Sequence, residues 1–442
     1  MKNNQPNIVF YFSDQQRWDT LGCYGQKLPV TPQLDKLAKD GTLFENTFTC
    51  QPVCGPTRAC LQCGEFATST GVYVNGYALP RDRKMLADYL NDSGYETAYV
   101  GKWHLGSDPQ HDNKCEPIPE EYRAGFRDYW MAADVLEFVS HGYNGHVFDI
   151  DNKQVDFIGY RADCINNYAI DYLHNHDKDK PFFLMISQIE PHHQNDHNRY
   201  EGPDGSKKRF ADYEVPGDLA GAEGDWRENF PDYLGQCNSL DQNVGRMIDT
   251  LKEMNLWDNT IFIYTSDHGS HFRTRNREYK RACHDGCTHV PLIIHGGAFN
   301  GGKRITEMTS LIDLPATILD CVGAEIPERF KGNSLVPLVE GKADGWGDDV
   351  FIQISESQVG RAVRTHDYKY SVYAPDKSGK RDMNSDVYVE QYLYDLKADP
   401  NERNNLVSDP NYAEVRAEMK ARLLSRMERA GEAVPVVLPA QV

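Results

Sequence analysis

The amino-acid sequence predicts an α/β fold: a mixed, mostly parallel sheet flanked by helices, with a smaller α+β subdomain at the C-terminal end. Three observations carry this. Continuous apolar runs recur along the chain, as in strands buried on both faces, and each delivers polar residues at its C-terminal end. Helical periodicity fills the intervals between them. After about Leu338 the texture changes to short strand candidates and one charged helix. At 442 residues the chain is long enough for one large α/β domain with an appendage, and the expected division is 1–338 and 339–442.

The elements follow in order. Asn7–Ser13 is an unbroken apolar strand that runs into Asp14 and Gln15. A helix is expected over Thr31–Lys39. Pro56 suits the first position of a second helix, continued by Thr57–Cys63, with Cys54 just ahead of it. Lys84–Ser93 reads as a helix, and Thr97–Val100 as a short strand feeding Gly101-Lys102-Trp103-His104. Residues 107–160 are polar and rich in Gly, Pro and His, so long loops over the site are expected there. Phe182–Ser187 is a buried strand leading to Pro191 and His192. Residues 194–230 read as a further loop, and Pro231–Met254 as a helix. Ile261–Ser266 is a strand running into Asp267, His268 and Gly269, and Asp313–Val322 is helical. Beyond Leu338, strand candidates at Val350–Ile354, Gln358–Thr365, Tyr368–Tyr373 and Tyr392–Leu396 precede a helix over Asn411–Arg429. Open α/β sheets place their sites beyond the carboxyl ends of the strands, so segments distant in sequence are expected to converge there.

Composition narrows the function classes. With 40% apolar and 26% charged residues the chain has the balance of a folded soluble protein, not a disordered one. A net charge of −19 excludes a general binder of nucleic acid or anionic membranes, and it obliges any anionic substrate to find a locally basic pocket. No apolar stretch is long enough to span a bilayer. Met1–Gln5 is polar and leads straight into a strand, so the expected location is cytoplasmic, or periplasmic or secreted if a leader has been removed. Eleven cysteines, an odd number, argue against a full disulfide framework.

The residues able to carry chemistry are those at the strand ends. Cys54, before a helix N-terminus, lies where free N–H groups and the helix dipole favour an anion, and Arg58 on the first turn can hold the same centre. Two other readings of Cys54 stand beside this one. It is either a buried cysteine next to a turn proline or part of a thiolate cluster with Cys50, Cys60 and Cys63 that binds zinc or an iron–sulfur centre. Cys283, His284, Cys287 and His289 invite the same thought. Asp14, Gln15, Asp267 and His268 offer two carboxylates, an amide oxygen and an imidazole to a divalent cation. Lys102, His104, His192 and Lys280 supply the positive charge and proton transfer that a tetrahedral oxyanion requires. For Lys280 no strand end supports the placement.

Together these segments resemble the type I sulfatases of the alkaline phosphatase superfamily over nearly the whole chain. Cys54-Gly55-Pro56-Thr57-Arg58 matches the core of the signal that directs oxidation of a sulfatase cysteine to formylglycine. Pro6–Gln16 is similar to the first metal-binding strand, Gly101–Gly106 to the Lys/His element, and Ser266–Gly269 after Asp258-Asn259-Thr260 to the second metal segment. Lys280, ahead of Val290–Ile294, falls at the leaving-group lysine. Leu393–Leu396 with Asp399–Glu402 and Asn405-Leu406 is similar to the closing signature. The resemblance implies an alkaline-phosphatase-like fold and one divalent metal held by Asp14, Gln15, Asp267, His268 and the modified Cys54. Calcium is the first expectation for that metal, with manganese or magnesium as alternatives. It implies that a separate maturation enzyme converts Cys54 to formylglycine (3-oxoalanine), whose hydrate attacks sulfur. His104 is then the base for elimination, His192 and Lys280 assist the leaving group, and Arg58 and Lys102 hold the formylglycine and sulfate oxygens. The expected substrate is a sulfated carbohydrate or small organic sulfate. Gln15 stands where many members have an acid, and His268 where many have Asn. Both departures resemble the branch with phosphonate monoester hydrolases and phosphodiesterases, which is the alternative activity.

Overall fold

The computed structural model describes residues 5–107 and 114–440. The main sheet is built from β1 (Asn7–Ser13), β2 (Thr42–Phe48), β3 (Glu96–Lys102), β4 (Tyr129–Ala133), β5 (Ser140–His141), β6 (Asn144–Asp149), β7 (Gln154–Ile158), β8 (Phe182–Ser187), β9 (Thr260–Ser266), β10 (Leu292–His295) and β11 (Lys303–Ser310). Its order is β11-β2-β10-β9-β1-β8-β3-β4-β6-β5, with β7 added on β6. The central run β9-β1-β8-β3-β4 is parallel throughout. The predicted mixed, mostly parallel sheet is therefore present, and β1 and β8 have the predicted bounds.

Alternation along β1 shows how the layers form. Ile8, Phe10 and Phe12 join a core with Leu61, Leu90 and Ile318, from the helices Cys54–Cys63, Leu86–Asp92 and Asp313–Cys321. Val9 and Tyr11 point the other way, to Leu37, Ile165 and Val244, from the helices Pro32–Asp40, Arg161–Asn175 and Trp226–Glu253. Both faces of the sheet are thus covered, which is why its strands carry no polar alternation.

A second, five-stranded sheet follows: β12 (Asp349–Ile354), β13 (Gly360–Thr365), β14 (Tyr368–Tyr373), β15 (Val387–Asp395) and β16 (Val436–Leu438). The helix Ala413–Arg429 packs on it through Met419, Leu423 and Met427, in a core that also takes Cys50, Cys60 and Phe66 from the first part of the chain.

Three sequence expectations are corrected. Residues 107–160 are not loop throughout, since β4 to β7 lie between Tyr129 and Ile158 (108–113 lie outside the described residues). Their strands are short or lie at the sheet edge, where Gln154–Ile158 buries only Phe157 and gives little apolar signal. The long helix begins at Trp226, so Pro231 sits inside it and the loop before it is shorter than 194–230. The strand expected at Tyr392–Leu396 runs from Val387 to Asp395. Among the described residues no helix is long and apolar enough to cross a membrane.

Candidate active site

Parallel pairing of β1 with β9 puts Ser13 opposite Ser266, so the residues that follow, Asp14 and Asp267, leave the sheet side by side. The Asp267 amide donates to the Ser13 carbonyl (3.2 Å), and the Asp14 amide to that of Glu190 (3.2 Å). Gln15 turns the chain with φ 73°, a left-handed conformation costly for a side-chain-bearing residue, and its amide donates to Asp267 Oδ1 at 3.0 Å. His104, at the end of β3, has φ 61°. These two left-handed residues follow β1 and β3, strands separated in the sheet only by β8.

Cys54 reaches this point from the other direction. Its helix starts at Cys54 itself, two residues earlier than the sequence indicates, and Pro56 falls among the first-turn residues whose N–H has no partner within the helix. All ten residues of the helix are buried. Cys54 Sγ lies 3.3 Å from Asp14 Oδ1, 3.3 Å from His268 Nε2 and 2.8 Å from Lys280 Nζ, with Lys102 Nζ at 4.0 Å. Burial and the Asp14 charge push the thiol up, but Lys102, Lys280 and His268 pull it down further, leaving it at about 7.

The charges around it interlock. Arg58 donates to Asp14 Oδ2 (3.1 Å), Ser187 Oγ (2.6 Å) and the Lys102 carbonyl (2.8 Å), over the ring of Phe12. Lys102 lies 2.9 Å from Asp14 Oδ2 and 3.2 Å from Glu137, and burial alone would depress it, but these anions and Cys54 hold it well above its usual range. Burial would raise Asp14, yet Lys102, His192 and Arg58 keep it well below the usual carboxylate range. His192 Nδ1 lies 2.6 Å from the His193 carbonyl, which can only accept, so Nε2 faces Asp14 Oδ1 at 4.0 Å with its lone pair. His104 is pushed down to about 4 by burial and Lys102, and its Nδ1 has no hydrogen-bond partner. It is neutral at pH 7 and able to take a proton.

The donor set fits a divalent cation. One ligand atom each from Asp14, Cys54, Asp267 and His268 lies within 4.8 Å of the others. His268 Nδ1 is 2.8 Å from the Gly269 carbonyl, which assigns the lone pair to Nε2, the nitrogen facing Cys54. Asp267 is pushed up to about 7 by burial and the neighbouring Asp14 charge, and its Oδ2 accepts no hydrogen bond. Gln15 Oε1 is likewise buried and without a partner, while its Nε2 donates to Tyr200. Two orphaned oxygens, one of them on the carboxylate that burial and Asp14 push up, are what a cation would satisfy.

The rival metal readings fail on geometry. Cys50 and Cys60 pack in the core beneath the second sheet, and Cys63 contacts Met85 Sδ at 3.5 Å. Cys283 joins another apolar cluster, His284 Nε2 meets Tyr394 Oη, and His289 is stacked between Trp18 and Phe48.

A cavity of about 490 Å3 opens over Cys54, lined also by His104, His192 and Lys280. All ten candidates from the sequence thus gather at one end of the sheet. Further lining residues went unnoticed there, among them Asn75, Glu137, Phe138 and Tyr279. Glu137 and Phe138 follow the end of β4, so the strand-end rule would have found them had β4 been read as a strand. Asn75 accepts from the Gly55 amide (2.9 Å) and donates its own amide to Glu356 (2.8 Å). Glu356, in the loop after β12, also pairs with Arg281 next to Lys280, so the smaller sheet helps to fix both sides of Cys54.

Comparison with known proteins decides the family. A family profile described as Sulfatase matches residues 6–324. The chain belongs to the sulfatase family. A profile described as N-sulphoglucosamine sulphohydrolase, C-terminal, matches residues 277–429 of this sulfatase. It is 27% identical to the N-acetylglucosamine-6-O-sulfatase of Bacteroides thetaiotaomicron, over 95% of this chain and 85% of that one. It is 30% identical to the uncharacterized sulfatase YidJ of Escherichia coli, over 96% and 88%. The crystal structure of the sulfatase candidate yidJ from Bacteroides fragilis superposes with a TM-score of 0.85 at 27% identity, over 98% of both chains. The sulfatase is therefore an enzyme whose reaction class is sulfate-ester hydrolysis.

Proposed function

We propose that this sulfatase removes sulfate from a sulfated carbohydrate, using the hydrate of formylglycine at position 54 as nucleophile. The observation that carries the reading is the position of Cys54 Sγ, within 4.0 Å of Asp14, His268, Lys280 and Lys102 at the floor of the cavity. Asp14, Gln15, Asp267 and His268 would hold one divalent cation, calcium by preference because three of the four offer oxygen, with manganese or magnesium as alternatives. When bound, that cation supplies fixed positive charge beside the nucleophile and the sulfate oxygens.

The side chains then divide the work. One hydrate oxygen attacks sulfur as the S–O bond to the sugar breaks; the free Nε2 of neutral His192 takes the proton of the attacking hydroxyl, and the Lys280 ammonium supplies charge and a proton to the departing oxygen. Arg58 and Lys102 hold the formylglycine and sulfate oxygens. His104, neutral near pH 7, takes the proton of the second hydroxyl. Its electrons form the C=O bond while the C–O bond to sulfate breaks, so sulfate leaves and the aldehyde returns, to be rehydrated by water. A serine ester would lack this internal route.

The carbohydrate assignment rests on the cavity and on the relatives. Asn75, Asn195 and Tyr279 offer hydrogen-bonding groups, and Phe138 is 56% exposed although it lines the cavity, as a platform for a sugar face would be. The Bacteroides thetaiotaomicron relative is named for a sulfated amino sugar. A second reading, phosphonate monoester or phosphodiester hydrolysis, is favoured by the neutral Gln15 and by His268 among the ligands.

Two measurements test this. The tryptic peptide Asp40–Arg58 should show Cys54 with one oxygen in place of sulfur and two hydrogens, provided a maturation enzyme is present during expression. A free thiol in active enzyme would sink the proposed nucleophile. Turnover on matched aryl sulfate, phosphonate and phosphodiester substrates should favour the sulfate, and preference for phosphorus would select the second reading.

A further inference from the structure

We propose that His141, Asp196 and His197 form a second metal site, at the mouth of the cavity, suited to zinc or a similar borderline divalent cation. One ligand atom from each of the three lies within 4.8 Å of the others. His141 Nε2 is 2.7 Å from Asp196 Oδ2, and His197 Nε2 is 3.9 Å from the same oxygen. Four tetrahedral ligands at about 2.0–2.1 Å from zinc stand roughly 3.3 Å apart, a spacing that these two distances bracket. The imidazole rings are stacked, 4.5 Å apart and 10° from parallel, so one ring must swing about its side-chain torsions for both nitrogens to meet one cation, which the exposure of His141 and His197 permits.

The surroundings orient the ligands as a metal site requires. His197 Nδ1 lies 2.6 Å from Glu201 Oε1, a carboxylate that can only accept. The proton is therefore on Nδ1 and the lone pair on Nε2, the carboxylate–histidine–metal arrangement. Asp196 Oδ1 is occupied by Gln194 Nε2 (2.8 Å), which leaves Oδ2 for the shared point. Gln194 is itself buried; its Nε2 also donates to the Glu137 carbonyl (3.0 Å), and its Oε1 accepts from Arg161 (3.2 Å). One buried anchor thus carries both Asp196 and the segment leading to His141. Two imidazoles and one carboxylate oxygen suit zinc, and suit calcium or magnesium poorly, because those cations prefer oxygen. On entry the cation displaces the proton shared by His141 and Asp196, which leaves to solvent. The fourth position faces water or a substrate oxygen. Phe138 lies three residues before His141 and Asn195 adjoins Asp196, and both line the cavity, so a bound cation ties the two segments that form its mouth.

This inference stands on these side chains and not on the chemistry assigned to Cys54. The test uses the full chain carrying Cys54→Ala and Asp267→Asn, which disables the buried centre, stripped of metal and titrated with Zn2+ and Co2+. One zinc equivalent should bind, and cobalt should give tetrahedral absorption in the visible without thiolate charge transfer. Adding Glu201→Gln should weaken zinc about 10–100-fold, and Asp196→Asn or His197→Asn at least as much. Absence of zinc binding, or affinity unchanged by Asp196→Asn and His197→Asn, overturns the proposal. If the double variant does not fold, His141→Asn in the otherwise native enzyme should lower zinc content by one equivalent, and an unchanged content overturns the proposal equally.

Discussion

Removing the Lys280 ammonium by Lys280→Ala isolates the step at which charge builds on the departing oxygen. Lys280 Nζ is buried, 2.8 Å from Cys54 Sγ and 3.2 Å from His268 Nε2. A sulfur under attack at the Cys54 position places its leaving oxygen within about 4 Å of that ammonium. There a unit-charge interaction is worth about 4 kcal/mol at an effective dielectric of 20. Loss of one such donor in other enzymes costs about 10²–10³-fold in kcat. The assay is kcat/KM for a series of aryl and alkyl sulfates whose alcohols differ in acidity. Lys280→Ala should lose about 10²–10³-fold on sulfates of weakly acidic alcohols such as sugars, and far less on nitrophenyl sulfate, whose oxygen carries its own charge. An equal loss across the series would refute the leaving-group role and leave Lys280 as a positioner of the nucleophile.

Other expectations concern metal, pH and substrate contact. Asp267→Asn removes a charged oxygen from the buried donor set, so the purified enzyme should lose its tightly held divalent cation by elemental analysis and lose activity by at least tenfold. Retention of the ion at full stoichiometry would count against that donor set. Asp241 accepts from the Gln33 and Leu34 amides at the start of the helix Pro32–Asp40, and burial pushes it from 3.8 up to about 7. A raised folded value favours the protonated form, so this contribution is complete below about pH 4 and lost as pH rises through 7. At about 1.4 kcal/mol per pH unit the loss reaches about 4 kcal/mol. Asp241→Asn should therefore gain in Tm relative to wild type between about pH 5 and about pH 8, and a constant difference contradicts the shift. Phe138→Ala should raise KM for the carbohydrate substrate by about 1 kcal/mol, roughly fivefold, with kcat little changed. A fall in kcat alone would exclude the platform role.

How far the sequence carried depended on burial. β1, β8 and β9 were legible almost to the residue because both their faces are covered, and Asp14, His192, Asp267 and His268 came with them. Lys102 and His104 followed from the end of β3 in the same way. Lys280 had no periodic signal. Its place is set by contacts distant in sequence, chiefly Glu356 with Arg281 beside it and His271 against its carbonyl. Glu137, Phe138 and Asn75 stayed hidden for related reasons. The first two follow a five-residue strand in a polar stretch, and the third is fixed by an amide and a carboxylate rather than by hydrophobic pattern. The edge strands β6 and β7 alternate too weakly to be read, since cross-strand pairing rather than burial defines them.

The complete burial of the Cys54–Cys63 helix sets a deadline for any enzyme that must oxidise Cys54. Once β1 and β9 pair and the smaller sheet closes over Cys60, a second active site has no access to this thiol. The last strand of the smaller sheet, β16, leaves the ribosome roughly 380 residues after Cys54, which at about 5–20 residues per second is an interval of about 20–80 s. On the proposed conversion of Cys54 to formylglycine, maturation would compete with folding for the same stretch of unfolded chain. A variant that folds faster around the nascent Cys54 helix would then emerge with less of residue 54 oxidised and correspondingly less active.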